Sequence, residues 1–180
     1  MDKVLAKLDE LGFYDAPASS RYHLSYKGGL LEHSMNVYEV ALFLSEQIIL
    51  RKPETEQQLP LDSIAICSLL HDICKTDIYK EAILNRKNAD GYWEKYLGFQ
   101  IDYNSSFPLG HGEKSVIMLL SWGLSLTVEE ILAIRWHMAA WDIPLQSPEH
   151  KEGLNAAKAR TPLVSLIQSA DGIAAGLIER

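Results

Sequence analysis

The sequence predicts an all-α domain with one small β-hairpin or ordered loop inserted at about residues 77–109. Through most of the chain apolar residues recur at spacings of three and four, the period of helices that bury one face. Between 77 and 109 that period is lost, and Asn88-Ala89-Asp90-Gly91, a turn signal, stands between segments rich in Tyr, Trp, Ile and Phe. There are no repeats, low-complexity tracts or interdomain linkers, and 180 residues suit one domain over residues 1–180.

The elements follow in order. A short helix near Asp2–Leu11 ends at Gly12, and a loop through Ala16-Pro17 and Lys27-Gly28-Gly29 leads into a long helix, about Leu30–Arg51. Its inward stripe is Leu30, Val37, Ala41, Leu44 and Ile48. After the polar segment Pro53–Pro60 a second core helix is expected over Asp62–Lys75, with Ile64, Cys67, His71 and Cys74 on one face. Beyond the insertion, helical spacing returns at about Gly112–Trp122. The Thr127-x-x-Glu130 pattern of a capping box opens another helix that runs to about Ala140. A loop is expected from Ile143 to Arg160, then a last helix over Pro162–Glu179, with Pro162 suited to the first turn.

Hydrophobic residues make up 47% of the chain and charged residues 23%, the balance of a soluble globular protein. No basic N-terminal stretch leads into an apolar run, and the apolar runs fall short of a membrane span, so the expectation is a cytoplasmic protein without membrane association. A net charge of −7 argues against a general binder of nucleic-acid backbones, though not against small nucleotides near a bound cation. Cys67 and Cys74 lie about two helical turns apart, too far for a disulfide, and are expected as small buried residues.

The chemistry lies in His33, the pair His71-Asp72, His111, His137 and Asp171. His33 lies between Leu30 and Val37 on its inward stripe, and His71 between Cys67 and Cys74. His137 follows Ile134 at three, and Asp171 follows Ile167 at four. A buried carboxylate without a partner is costly, whereas a divalent cation removes that cost and neutral imidazoles coordinate it without titrating. Taken singly, each residue reads as well as a hydrogen-bonded core group, and spacing alone leaves a metal site and plain core residues level.

The local sequences add to this. "YKGGLLEHS" (Tyr26–Ser34), "LLHDICK" (Leu69–Lys75), "LGHGEKS" (Leu109–Ser115), "IRWHMAAWD" (Ile134–Asp142) and "SADGIAA" (Ser169–Ala175) together resemble the ordered H…HD…H…H…D motifs of the HD superfamily of metal-dependent phosphohydrolases. The Gly-Gly-Leu-Leu-Glu-His segment is most similar to the HD module of bacterial 3′-to-5′ exoribonucleases. The resemblance implies an HD-domain helical bundle in which His33, His71, Asp72 and Asp171 hold one divalent metal. His111 and His137 would hold a second, with Asp72 bridging. It implies two metals per chain, of the Mn, Fe, Co, Ni or Zn type with Mg also admissible, and hydrolysis of a phosphoester. Asp72 and Lys75 would be the catalytic residues, Lys75 reaching a phosphate oxygen, unless it is a solvated lysine at a helix end. The substrate class is a phosphorylated small molecule such as a nucleotide, or a short nucleic-acid 3′ end. Two alternatives stand beside this: a one-metal 5′-nucleotidase or dNTP hydrolase, and a non-catalytic nucleotide or metal sensor. One departure is Cys74, where the family commonly has glycine; it lets the helix continue further.

Other residues have two readings each. His23 and Lys27 flank the glycine loop and either meet substrate or stay on the surface. Glu32, Glu113 and Asp142 either orient histidines or face water, Asp142 also being a possible helix cap. Tyr92, Trp93, Tyr96 and Tyr103 either stack on a base or pack the insertion onto the helices. His150 is expected to be exposed without a role.

Overall fold

A computed structural model describes residues 2–102, 104, 109–139 and 147–180. The chain begins with α1 (Asp2–Glu10), whose Val4 and Leu8 are buried on one face. A loop then leads to α2 (Gly29–Arg51), which buries Leu30, His33, Val37 and Ala41. Gly29 has no substitute here, because a Cβ would collide with the carbonyl oxygen of Leu24. The loop carrying His23 is thereby pressed against the start of α2.

A 3-10 turn over Pro53–Gln58 precedes α3 (Leu61–Leu70). The expected helix to Lys75 stops short. His71 is the C-cap of α3, Asp72 leaves helical geometry with φ −112° and ψ 19°, and Ile73–Asp77 tightens into a 3-10 turn. Cys74 therefore does not prolong the helix. Its backbone N–H donates to Ser115 Oγ instead, at 3.3 Å. Both cysteines are free and buried.

The insertion is a two-stranded antiparallel hairpin, β1 (Tyr79–Lys87) and β2 (Trp93–Ile101), in register from Tyr79 opposite Ile101 to Lys87 opposite Trp93. Asn88 closes the turn, its Oδ1 accepting from the backbone N–H groups of Asp90 and Tyr92. Tyr92 is 74% and Trp93 70% exposed, so these two rings do not pack the hairpin onto the helices; Tyr96 is half-buried. Tyr103 and Asp142 lie outside the described residues. At the hairpin base the fully buried Lys114 pairs with Asp77 at 2.6 Å, tying the base to the next helix.

That helix, α4 (His111–Ser121), packs on α5 (Val128–Trp136), which opens with the expected capping box. Glu130 does double duty, capping Thr127 and accepting from Ser63 Oγ of α3 at 2.7 Å. A Cβ at Gly112 would strike the Arg135 carbonyl oxygen, so glycine sets the approach of α4 to α5. Gly112→Ala is expected to lower stability by about 1–3 kcal/mol, the usual cost of overpacking, read from a urea midpoint.

The segment 148–160, expected as loop, is α6 (Pro148–Arg160). Only Ala157 of it is buried, so it lacks the apolar stripe that marks the other helices. Its signals are at the ends: Pro148 in the first turn with Glu149, and Lys158 and Arg160 in the last. Last comes α7 (Pro162–Ile173), which widens into a π turn over Ala174–Ile178 rather than running unbroken to Glu179. α2, α3, α5 and α7 pack around Leu30, Val37, Ile64, Ile134, Leu163 and Ile167. Among the described residues no single helix is long and apolar enough to cross a membrane.

Candidate metal centre

Asp72 stands at the middle of the residues singled out in the sequence. Its Oδ2 lies 3.6 Å from His33 Nε2 and 3.4 Å from His71 Nε2. Its Oδ1 lies 3.4 Å from His137 Nε2 and 4.0 Å from His111 Nδ1. Asp171 Oδ1 joins from α7, 3.3 Å from His33 Nε2. His33, His71, Asp72 and His137 are buried, Asp171 is nearly so, and His111 is 31% exposed at the start of α4.

Local structure fixes which nitrogen of each ring faces inward. His71 and His137 are the C-caps of α3 and α5, and each donates Nδ1–H to the carbonyl three residues back: Ser68 O at 2.8 Å and Ile134 O at 2.7 Å. His33 Nδ1 lies 3.0 and 3.1 Å from the two oxygens of Glu179. All three rings thus present Nε2 to the centre. His33 Nε2 and His71 Nε2 are 3.3 Å apart. Two lone pairs at that distance repel unless a proton or a cation lies between them. The buried Asp72 Oδ1 and His137 Nε2 face each other at 3.4 Å without the geometry of a hydrogen bond, and neither has another hydrogen-bond partner among the described residues, a costly condition in a closed interior. A divalent cation answers both demands, and nitrogen with carboxylate oxygen is a donor set for Mn, Fe, Co, Ni or Zn. His33, His71 and Asp72 form one group able to hold an ion; His71, His137 and Asp171 form another.

Among the protein's own groups, charge at the centre is balanced by protons and by Lys75. The buried Lys75 Nζ rests 2.5 Å from Asp72 Oδ2. Burial favours a neutral Asp72, but the Lys75 ammonium and the neighbouring imidazoles outweigh it and hold the carboxyl well below its ordinary range. Burial also opposes charge on His33, yet Asp171, Asp72 and Glu179 push its pKa up to about 10. Burial would raise Asp171, but His33 and the charges of His71 and His137 bring it down to about 2. His33 thus binds a proton more tightly folded than unfolded. Its contribution is fully present below the ordinary histidine value of 6.5 and is lost as pH rises through about 10. Metal-free protein is expected to melt at progressively lower temperature across that window, as read by circular dichroism in chelator.

The other named residues sit apart or at the rim. His23 has its ring centroid 5.2 Å from that of His33, at the edge of the centre. Lys27 is on the surface, paired with Asp15 at 3.3 Å. Glu32 accepts the Tyr26 hydroxyl at 2.6 Å, and Glu113 pairs with Arg135 at 2.7 Å, so both carboxylates are engaged away from the histidines. His150 is exposed on α6. The sequence reading missed Glu179. Its side chain is only 1% exposed, and beside His33 it accepts from Asn36 Nδ2 at 3.0 Å. The one available signal was that Asn36 and His33 share a face of α2, a polar pair that needs a partner.

A helical bundle that brings an adjacent His-Asp pair together with histidines from three further helices and an aspartate from the last defines the metal-dependent phosphohydrolases of the HD type. The family model described as "HD domain" matches residues 30–176, and the chain belongs to that family. The dihydroneopterin 2′,3′-cyclic phosphate phosphodiesterase of Methanocaldococcus jannaschii is 32% identical over 89 residues. That match spans 49% of this chain and 32% of the relative's length. No solved structure gives a significant match.

Proposed function

We propose that this chain hydrolyses a small-molecule phosphoester, most favourably a phosphodiester, at a two-cation centre. His33, His71, Asp72 and Asp171 would hold one cation, and His111, His137 and Asp72 would hold the other. The carrying observation is the set of imidazole nitrogens 3.4–4.0 Å from the two oxygens of one buried carboxylate. Cations bound there lower the pKa of water and neutralise charge on the phosphoryl group. Lys75, whose ammonium lies beside Asp72, would offer positive charge to a phosphoryl oxygen held at the centre.

The relative named for a 2′,3′-cyclic phosphate supports a phosphodiester. The net charge of −7 favours a small substrate over a nucleic-acid 3′ end, which calls for a cationic groove. One observation favours a one-cation reading: His111 is the most exposed and most distant of the six, so it could serve substrate instead.

Elemental analysis of the purified protein, followed by a panel of nucleotides, cyclic nucleotides and oligonucleotides, tests both. Two equivalents per chain and cleavage of 2′,3′-cyclic mononucleotides are expected. One equivalent, unaltered by His137→Ala, sinks the two-cation centre, and a metal-loaded protein that leaves the whole panel intact sinks hydrolysis.

A further inference from the structure

Cys74 stands where the family commonly has glycine, and its thiol lies at the edge of the metal centre. In a continuous α-helix, residues two apart point to different sides, so Cys74 would turn away from Asp72. The break at Asp72 and the 3-10 turn over Ile73–Asp77 change that. One carboxylate oxygen of Asp72, one ring nitrogen of His111 and the sulfur of Cys74 all lie within 4.8 Å of one another. The hydrogen bond from the Cys74 N–H to Ser115 Oγ, at 3.3 Å, ties this turn to α4, the helix that His111 opens.

The other cysteine shows what a plain buried thiol looks like in this protein. Cys67 lies in the apolar core, where its Sγ donates to the Glu130 carbonyl at 3.8 Å. Cys74 is just as buried, yet it lies outside that core, beside a carboxylate and an imidazole. A second observation points to a ligand there. Asp72 is 1% exposed, and its Oδ1, which faces His137 and His111, makes no hydrogen bond among the described residues. Three atoms within 4.8 Å of one another share a centre no more than about 2.8 Å from each. Zinc lies about 2.3 Å from sulfur and about 2.1 Å from nitrogen, so shifts of less than about an ångström close the set around a cation.

We infer that Cys74 Sγ joins Asp72, His111 and His137 as a ligand of the second cation, and biases that position toward a thiophilic ion such as Zn over Mn or Mg. This rests on the two-cation reading above. Sulfur is the soft donor of the group and favours zinc, whereas carboxylate and water suit Mg and Mn. On binding, the S–H bond breaks, its electron pair stays on sulfur and is donated to the cation, and the proton leaves to water.

Cobalt(II) added to the metal-free protein under argon reports a sulfur ligand through an intense thiolate-to-cobalt charge-transfer band in the near ultraviolet. The band is expected in the wild type and in Cys67→Ala, and is expected to vanish in Cys74→Ser, which keeps the size of the side chain. No band in the wild type, or a band that survives Cys74→Ser, overturns the inference. If circular dichroism shows that Cys74→Ser does not fold, Cys67→Ala decides. The chain has two cysteines, so a band kept in Cys67→Ala comes from Cys74, and a band lost there overturns the inference. In chelator competition, zinc affinity should fall by about tenfold or more in Cys74→Ser, since losing a ligand costs at least what losing a ligand's supporting partner does. Manganese affinity should fall much less; an equal fall for both overturns the bias toward zinc. One equivalent of cobalt per chain sinks the two-cation reading by itself. The band then still decides on Cys74: its presence makes the thiol a ligand of that single cation, and its absence overturns the inference.

Discussion

Asp72→Ala is expected to abolish metal uptake and hydrolysis together, in a protein that is also much less stable when metal-free. Two physical effects combine. Among the described residues the Asp72 carboxylate is the one side chain paired with all of His33, His71, His137 and His111, so metal bound among these histidines would lose a shared ligand without it. It is also the counter-ion of Lys75, whose ammonium is 7% exposed at 2.5 Å from Oδ2. Stranding a buried ammonium costs about 3–5 kcal/mol, more than the loss of the pair in itself. Lys75→Met added to Asp72→Ala should therefore recover most of the stability in urea melts with chelator, and none of the metal. Full metal content in Asp72→Ala would remove Asp72 from the centre altogether. Failure of the second substitution to restore stability would mean that Lys75 finds another partner.

Glu179→Gln is the second large effect. The carboxylate takes His33 Nδ1 on both oxygens and the Asn36 amide on one, which fixes the ring so that Nε2 faces Asp72. Such carboxylate–histidine pairs raise ligand basicity and orientation, and their loss costs about 10–100-fold in metal affinity. Chelator competition should show a loss of that order in Glu179→Gln, although glutamine keeps the shape of the side chain. A purely structural Glu179 would instead lower the metal-free melting temperature and leave affinity alone. The two measurements separate these roles.

The parts of this molecule legible from its sequence are those where one local rule governs. His33, His71, His137 and Asp171 stand three or four residues from the buried Leu30, Cys67, Ile134 and Ile167, so helix period aims them inward. The Thr127-x-x-Glu130 cap is likewise a rule confined to four residues, and it appears as expected. What was not legible depends on distant partners or on the lack of a stripe. Glu179 meets His33 across 146 residues. α6 is polar nearly all round, with Ala157 its one buried residue. The end of α3 at His71 was hidden because Cys74 continues the apolar spacing, while the backbone is diverted by the hydrogen bond from its N–H to Ser115.

The two capping histidines have a consequence of their own. α3 and α5 begin beside one another, linked by Ser63 and Glu130, and end beside one another, with the His71 and His137 rings 4.7 Å apart. Their peptide dipoles therefore run side by side, and both negative ends meet at Asp72. Each such end carries roughly half an elementary charge. The main chain itself thus sets up a field that draws in positive charge, before any side chain contributes. Side-chain substitutions at the centre can retune which cation binds, but reversing its preference for positive charge would take a change in how the two helices lie.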